Sequence, residues 1–247
     1  MGLTIHYDLA SPQLRDFSKA CRIVEQLRSF AESLQFERCS ELITWDTRTD
    51  DPGLGHFREY LLCYDKTKDA ERFLCVPPLR FAMFGVQQPG SETAFFGLGK
   101  YATVAPDISD PTIRRKTGLV GYQWRGFCKT QYATLSSEGG GWENFFKIHD
   151  GICRILDHAK QLGMDVTVRD EGNYWDNRDA PALRKEVERW NALIAAFAGK
   201  LKDHYGARAD EAVVAPITQT PEFERLEAQG QEMIGDFNIE DLGLPEE

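Results

Sequence analysis

The sequence predicts an α+β protein, a mixed or antiparallel sheet whose helices pack mainly on one face. Three observations lead there. Two stretches, one over residues 14–34 and one over 142–159, repeat apolar side chains at steps of three and four, the period of an amphipathic helix. Residues 60–104 switch to a period of two, the mark of strands. A strand–helix–strand order near the start also recurs past the middle.

"LTIHYDL", residues 3–9, is rich in β-formers and reads as the first strand. A helix follows, with Ser11 placed to cap it and Pro12 in its first position. Its stripe is Leu14, Phe17, Cys21, Val24, Leu27, Ala31 and Leu34. "SELITW" is a second strand, and "DTRTDDPGLG" is a loop of Asp, Pro and Gly. "YLLCY", "RFLCVPPLRFAMFGV" and "TAFFGLGKYATV" then give three or four strands, broken at Pro77–Pro78, at "QQPGSE" and near Asp65 to Asp69. "APDISDPTIRRKTG" reads as a connecting loop.

The second half opens with the strand "WRGFCKTQYATL" and the linker "SSEGGG". The next helix carries Trp142, Phe145, Phe146, His149, Ile152, Cys153, Leu156 and Ala159 on one face, and Gly163 stands where a left-handed cap belongs. "MDVTVRD" is a strand and "EGNYWDNRD" a loop. Asp179 caps the longest helix, Pro181 lies in its first turn, its stripe is Leu183, Val187, Trp190, Ile194, Phe197 and Leu201, and Gly206 ends it. "EAVVAPI" reads as an edge strand, and "FNIEDLGLPEE" as an acidic tail end.

Tyr7 and Tyr132 lie 125 residues apart, and the same offset carries Phe17 onto Trp142, Leu27 onto Ile152, and "ELIT" onto "VTVR". Such a repeat of pattern predicts a duplicated ferredoxin-like βαβ arrangement with pseudo-two-fold symmetry. The expected organisation is a first half at 1–110, a second at 111–220 sharing its core, and an acidic C-terminal tail at 221–247.

With 39 acidic against 29 basic residues the formal charge is −10, a field that repels phosphate backbones and anionic membranes. "RRK" at Arg114–Lys116 is too short to reverse it and reads as a solvated loop. No apolar run is long enough to span a bilayer. The start lacks a basic and an apolar signal region, and His6 sits where a myristoylation signal wants Ser or Thr. The expectation is a soluble, cytoplasmic protein that binds neither nucleic acid nor membrane. Cysteines 21, 39, 63, 75, 128 and 153 are scattered without a C-x-x-C pair, as buried reduced thiols are.

The densest polar-aromatic cluster is Arg169 to Asp179. Asp170 and Glu171, with His149 nearby, are the candidate catalytic groups, since close carboxylates divide acid and base roles. With Asp176, Asp170 and Glu171 form a candidate site for a divalent cation; no other cofactor is expected. The plainer reading makes Asp179 a cap, the other acids turn residues and His149 a core histidine. Arg125 and Lys129, sharing a strand face with Phe127 and Gln131, offer an anionic ligand two cations. Cys128 as a nucleophile would need a base and an electropositive setting. Trp124, Tyr132, Tyr174 and Trp175 are candidate anchors for a protein or peptide, because aromatic rings supply much interface energy. A protein- or peptide-binding role on an acidic, aromatic-containing surface is therefore expected first. A hydrolytic or metal-assisted enzyme around Asp170, Glu171 and His149 comes second, and an acidic antagonist or decoy third; a small-molecule ligand suits any of them.

Overall fold

The computed structural model describes residues 3–48, 63–66, 73–76, 78–106, 112–135, 140–205 and 216–234. Strand β1 (Thr4–Ser11) buries alternate residues Ile5, Tyr7 and Leu9 and turns Thr4, His6 and Asp8 the other way. It continues through Ser11, which pairs with Tyr122 and so is unavailable as a cap. Asp16 takes that role instead, its Oδ1 accepting the Lys19 N–H at 2.6 Å. Helix α1 (Phe17–Ser33) follows, burying Val24, Leu27 and Ala31 of the expected stripe together with Ala20, while Phe17, Cys21 and Leu34 are half-buried.

Strands β2 (Arg38–Cys39) and β3 (Ile43–Asp46) come next, then a separate ribbon of β4 (Cys63–Lys66) and β5 (Phe73–Val76). Strand β6 (Pro78–Gln87) pairs with β2, β3 and β7 (Ala94–Tyr101). The expected loop over "RRK" is instead a second ribbon, β8 (Val104–Pro106) with β9 (Arg114–Lys116). Strand β10 (Tyr122–Lys129) stops earlier than its apolar pattern suggests, and Gln131–Thr134 wind into a 3-10 turn. Tyr132 therefore leaves the strand face it was expected to share with Trp124.

Helix α2 (Trp142–Gln161) buries Phe145, Ile148, His149, Ile152, Ile155 and Leu156. Gly163, at φ 82°, adopts the left-handed conformation that ends it. Strand β11 (Asp165–Asp170) leads into a short helix, α3 (Tyr174–Asn177), inside the segment expected to be a loop. Asp179 caps α4 (Ala180–Tyr205), accepting the Ala182 N–H at 2.9 Å. The far half of α4 buries Ala192, Ala195, Ala196 and Ala198, with Ile194 only half-buried, because it packs on α5 (Phe223–Ile234). Gly230 lets α5 approach the Ala192 carbonyl so closely that any Cβ would collide.

Helix α5 lies in the stretch assigned to the tail, and Pro216–Gln219 form a 3-10 turn where an edge strand was expected. The readings for Gly2, Gly206, most of "DTRTDDPGLG", the middle of "SSEGGG", the start of "EAVVAPI" and the tail end fall outside the described residues.

The result is an α+β fold with a seven-stranded antiparallel sheet ordered β11-β1-β10-β7-β6-β2, with β3 also on β6. Helices α1 and α2 lie side by side, Phe30 stacking on His158 at 4.3 Å. Both feed the core that holds Ile5, Tyr7, Leu9, Trp124 and Cys128. No helix among the described residues is long and apolar enough to cross a membrane. The two strand–helix–strand units differ in one respect: β10 and β11 flank one strand, whereas β1 and β3 are separated by β10, β7 and β6.

Candidate functional site

The candidate residues fall into two polar regions, one inside the core and one on the sheet surface. In the core, His149 of α2 meets Asp170 at the end of β11, Nε2 to Oδ2 at 3.3 Å, with side-chain exposures of 0% and 1%. Asp170 also accepts the Gly172 N–H at 2.8 Å and the Trp175 N–H at 2.9 Å, closing the turn that starts α3. On its other side the imidazole Nδ1 lies 2.9 Å from the Thr130 hydroxyl. An ionised carboxylate only accepts, so Nε2 carries a proton and, in the neutral ring, Nδ1 accepts from Thr130. If the ring is charged, Nδ1 donates and the Thr130 hydroxyl turns to the Leu3 carbonyl at 3.4 Å. Either state leaves every member of the network a partner.

A hydroxyl, an imidazole and a carboxylate in sequence are the parts of a nucleophilic triad. Here they are sealed: Thr130 and His149 are fully buried, and the rings of Phe145 and Tyr174 lie 5.1 and 5.8 Å from the imidazole. The chain therefore works as a core clasp joining β10, α2 and β11.

Burial pushes the Asp170 carboxyl up, but the His149 hydrogen bond and charge, with the Trp175 and Gly172 N–H groups, outweigh it and hold the group below its ordinary value. Asp46 is held down to about 2, chiefly by the Arg48 guanidinium and against its partial burial. Groups lowered by folding stabilise fully above their unfolded pKa, and that stabilisation is lost as pH falls through the folded value. The melting temperature should accordingly fall as pH drops from about 4 towards 2, and Asp170→Asn should flatten that limb. A melting temperature independent of pH across this window would contradict the assignment.

On the opposite face of the sheet, β11, β1 and β10 turn polar and aromatic side chains to solvent. His6 stands between Phe127 and Arg169, its direct partners on either side. Its Nε2 lies 3.7 Å from Glu171, whose other oxygen accepts the Thr4 N–H at 3.0 Å. Arg169 reaches Glu171 at 3.4 Å, and Arg125 donates to Asp8 at 2.6 Å. Lys129 lies over the Tyr132 ring at 4.8 Å. Helix α4 brings Glu186 and Trp190 to the rim. Together Thr4, His6, Lys129, Arg169, Glu171, Glu186 and Trp190 line a depression of about 580 Å³. Phe127, beside it, is 59% exposed.

The expected catalytic set is thus divided. His149 and Asp170 meet inside the core, while Glu171 lies on the other face and Asp176 is exposed on α3. Among the described residues no three His, Cys, Asp or Glu side chains gather to hold a metal ion, and the Asp170, Glu171 and Asp176 set does not converge. Arg125 and Lys129 do share the open face, but Gln131 is buried, binding the Leu3 N–H and Asn191.

Of the aromatic candidates, Trp124 is 2% exposed and donates to the Phe95 carbonyl, so it belongs to the core. Tyr174 is buried too; its hydroxyl donates to Asp150, and burial and that carboxylate push it up to about 12. Trp175 is half-buried beneath Lys160 at 4.3 Å and Arg178 at 4.7 Å. Only Tyr132 stays exposed. Cys128 is buried, and burial pushes its thiol up, which removes it as a nucleophile. Sequence reasoning missed His6, Phe127, Glu186 and Trp190. The alternation of β1 and β10 puts His6 and Phe127 on the solvent side; their adjacency depends on a register no local pattern carries. Comparison of the chain with protein-family models, curated proteins and solved structures returns no match.

Proposed function

We propose that this is a binding protein, and that the open face of β11, β1 and β10 receives a protein or peptide. The observation that supports it is Phe127: a large ring, 59% exposed, on the solvent-facing side of the sheet. His6 lies beside it at 6.2 Å, Trp190 lines the adjoining depression and Tyr132 is exposed beneath Lys129. Aromatic anchors ringed by polar groups are the usual core of an interface. The face mixes His6, Lys129 and Arg169 with Asp8, Glu171 and Glu186, so it suits a polypeptide carrying both signs. A net charge of −10 works against a nucleic-acid ligand. The enzyme reading is weaker, because its two best groups are sealed in the core and the third lies on the far face. An antagonist or decoy role rests on charge alone.

The fold reading that accompanies this is ferredoxin-like. Strands β11-β1-β10-β7 would form the four-stranded unit, with β1 inserted between β10 and β11 and β10 between β1 and β7. Strands β6, β2 and β3 would extend one edge. Residues 1–110 and 111–220 are then halves related by a pseudo-two-fold axis. The free thiols of Cys21, Cys39, Cys128 and Cys153 suit a reducing, cytoplasmic setting.

Panning a displayed peptide library against the protein tests the binding reading. Enriched peptides should lose at least about tenfold in affinity, or roughly 1.4 kcal/mol, on Phe127→Ala. Enrichment of peptides indifferent to Phe127, or no enrichment, would refute it.

A further inference from the structure

We infer that β11 is an interface for a second copy of this chain, the two β11 strands pairing antiparallel about an axis through Thr167. Among the described residues β11 is the edge of the sheet, with β1 as its one strand neighbour. It pairs with β1 without a bulge and contains no proline, so it lacks two of the usual devices that blunt an edge.

Which backbone groups face outward follows from two hydrogen bonds. In the register that sets Ile5 opposite Asp170, the Glu171 N–H donates to the Thr4 carbonyl at 3.1 Å. Across β1, the Thr130 N–H donates to the Leu3 carbonyl at 3.2 Å. Even-numbered residues of β1 therefore turn their N–H and C=O groups towards β11, and Asp165, Thr167 and Arg169 turn theirs back. Val166 and Val168 aim theirs out of the edge.

An antiparallel copy can use those groups by setting Val166 opposite Val168 of the second copy, a hydrogen-bonded pair repeated by symmetry. That register puts Thr167 opposite Thr167 and Asp165 opposite Arg169 at both ends. Asp165, Thr167 and Arg169 all point to the solvent face and are exposed. Their pairs are of the non-hydrogen-bonded kind, in which side chains approach most closely. Val166 and Val168, half-buried on the helix side, continue the apolar layer. A slip by one residue loses the hydrogen-bond phase. Moving Thr167 opposite Arg169 sets Asp165 opposite Glu171 and Val166 opposite the buried carboxylate of Asp170. The one register that satisfies backbone phase and charge together is self-complementary, as a two-fold dimer requires.

Sedimentation of the full chain at graded concentrations tests this. The wild type should reach twice the chain mass and dissociate on dilution. Asp165→Arg and Arg169→Asp each place like charges at both ends and should weaken association at least tenfold. The double variant, with the charges exchanged, should recover it. Far-UV circular dichroism checks that each variant is folded. As a second readout, Thr167→Cys should cross-link to its twin under mild oxidation much faster than Asp165→Cys. A wild type monomeric at every concentration, single variants that still dimerise, or a double variant that fails to recover would each overturn the interface.

Discussion

Replacing Asp170 with alanine should destabilise the fold by about 3–5 kcal/mol, the range seen when one partner of a buried pair is removed. Three donors lose their acceptor at once: the His149 Nε2–H and the Gly172 and Trp175 N–H groups. The His149 and Asp170 side chains are 0% and 1% exposed, and each buried donor left unpaired carries a desolvation cost. For a chain of this length the melting temperature should drop by on the order of 10 °C. Asp170→Asn, which keeps one carbonyl acceptor, should cost less. Urea and thermal unfolding measure both. A carboxylate serving catalysis alone would leave the unfolding curve where it was, so a shift below about 2 °C would return Asp170 to the list of catalytic candidates.

The same residue shows how far the sequence reaches. Asp170 and His149 stand out as titratable groups near apolar segments, and their adjacency follows once α2 and β11 share a core. What the chain does not spell out is depth. A carboxylate at the end of a strand whose alternate residues are half-buried belongs equally to a cleft or to a clasp. Only the turn that closes over Asp170, with α3 folding inside a segment of loop-like composition, decides the matter. Trp124 and Tyr174 make the same point. Both rings carry a polar tip fit for a docking site, and both spend that tip inside, on the Phe95 carbonyl and on Asp150. Phe127, read only as a neighbour of two cations, is 59% exposed.

Helical segments were the most legible, since a period of three to four is written in contiguous residues. The stripes of α1 and α2 and the left-handed Gly163 all follow from local pattern. Errors cluster where distant pairing overrides a local signal. Ser11 and Pro12 look like a helix start, yet pairing with β10 carries β1 through Ser11, and Asp16 becomes the cap. "RRK" looks like a solvated loop, yet β8 supplies it a partner strand. The small residues of α4 were passed over for its larger apolar ones, because nothing nearby announces that α5 will need a close approach.

Gly126→Val should be the most damaging single substitution in β10, costing about 3 kcal/mol or more and driving much of the protein into aggregates. Gly126 faces Tyr7 across the β1–β10 pair, and a Cβ there would come within 2.5 Å of the ring carbon that bears the hydroxyl. The ring cannot swing away. It is buried, stacks on Phe96 at 4.9 Å, and donates its hydroxyl to the Phe95 carbonyl at 2.7 Å. Trp124 donates to that same carbonyl at 2.8 Å, so displacing Tyr7 disturbs the junction of β1, β10 and β7 together. A double-mutant cycle separates this clash from a loss of strand propensity. Tyr7→Ala alone should cost about 3–5 kcal/mol as an emptied aromatic site. Combined with Gly126→Val it should cost less than the sum of the two, by about 1–3 kcal/mol, because the valine then enters space the ring has left. Strict additivity would show that the glycine is required by its own backbone and not by the ring that lies over it.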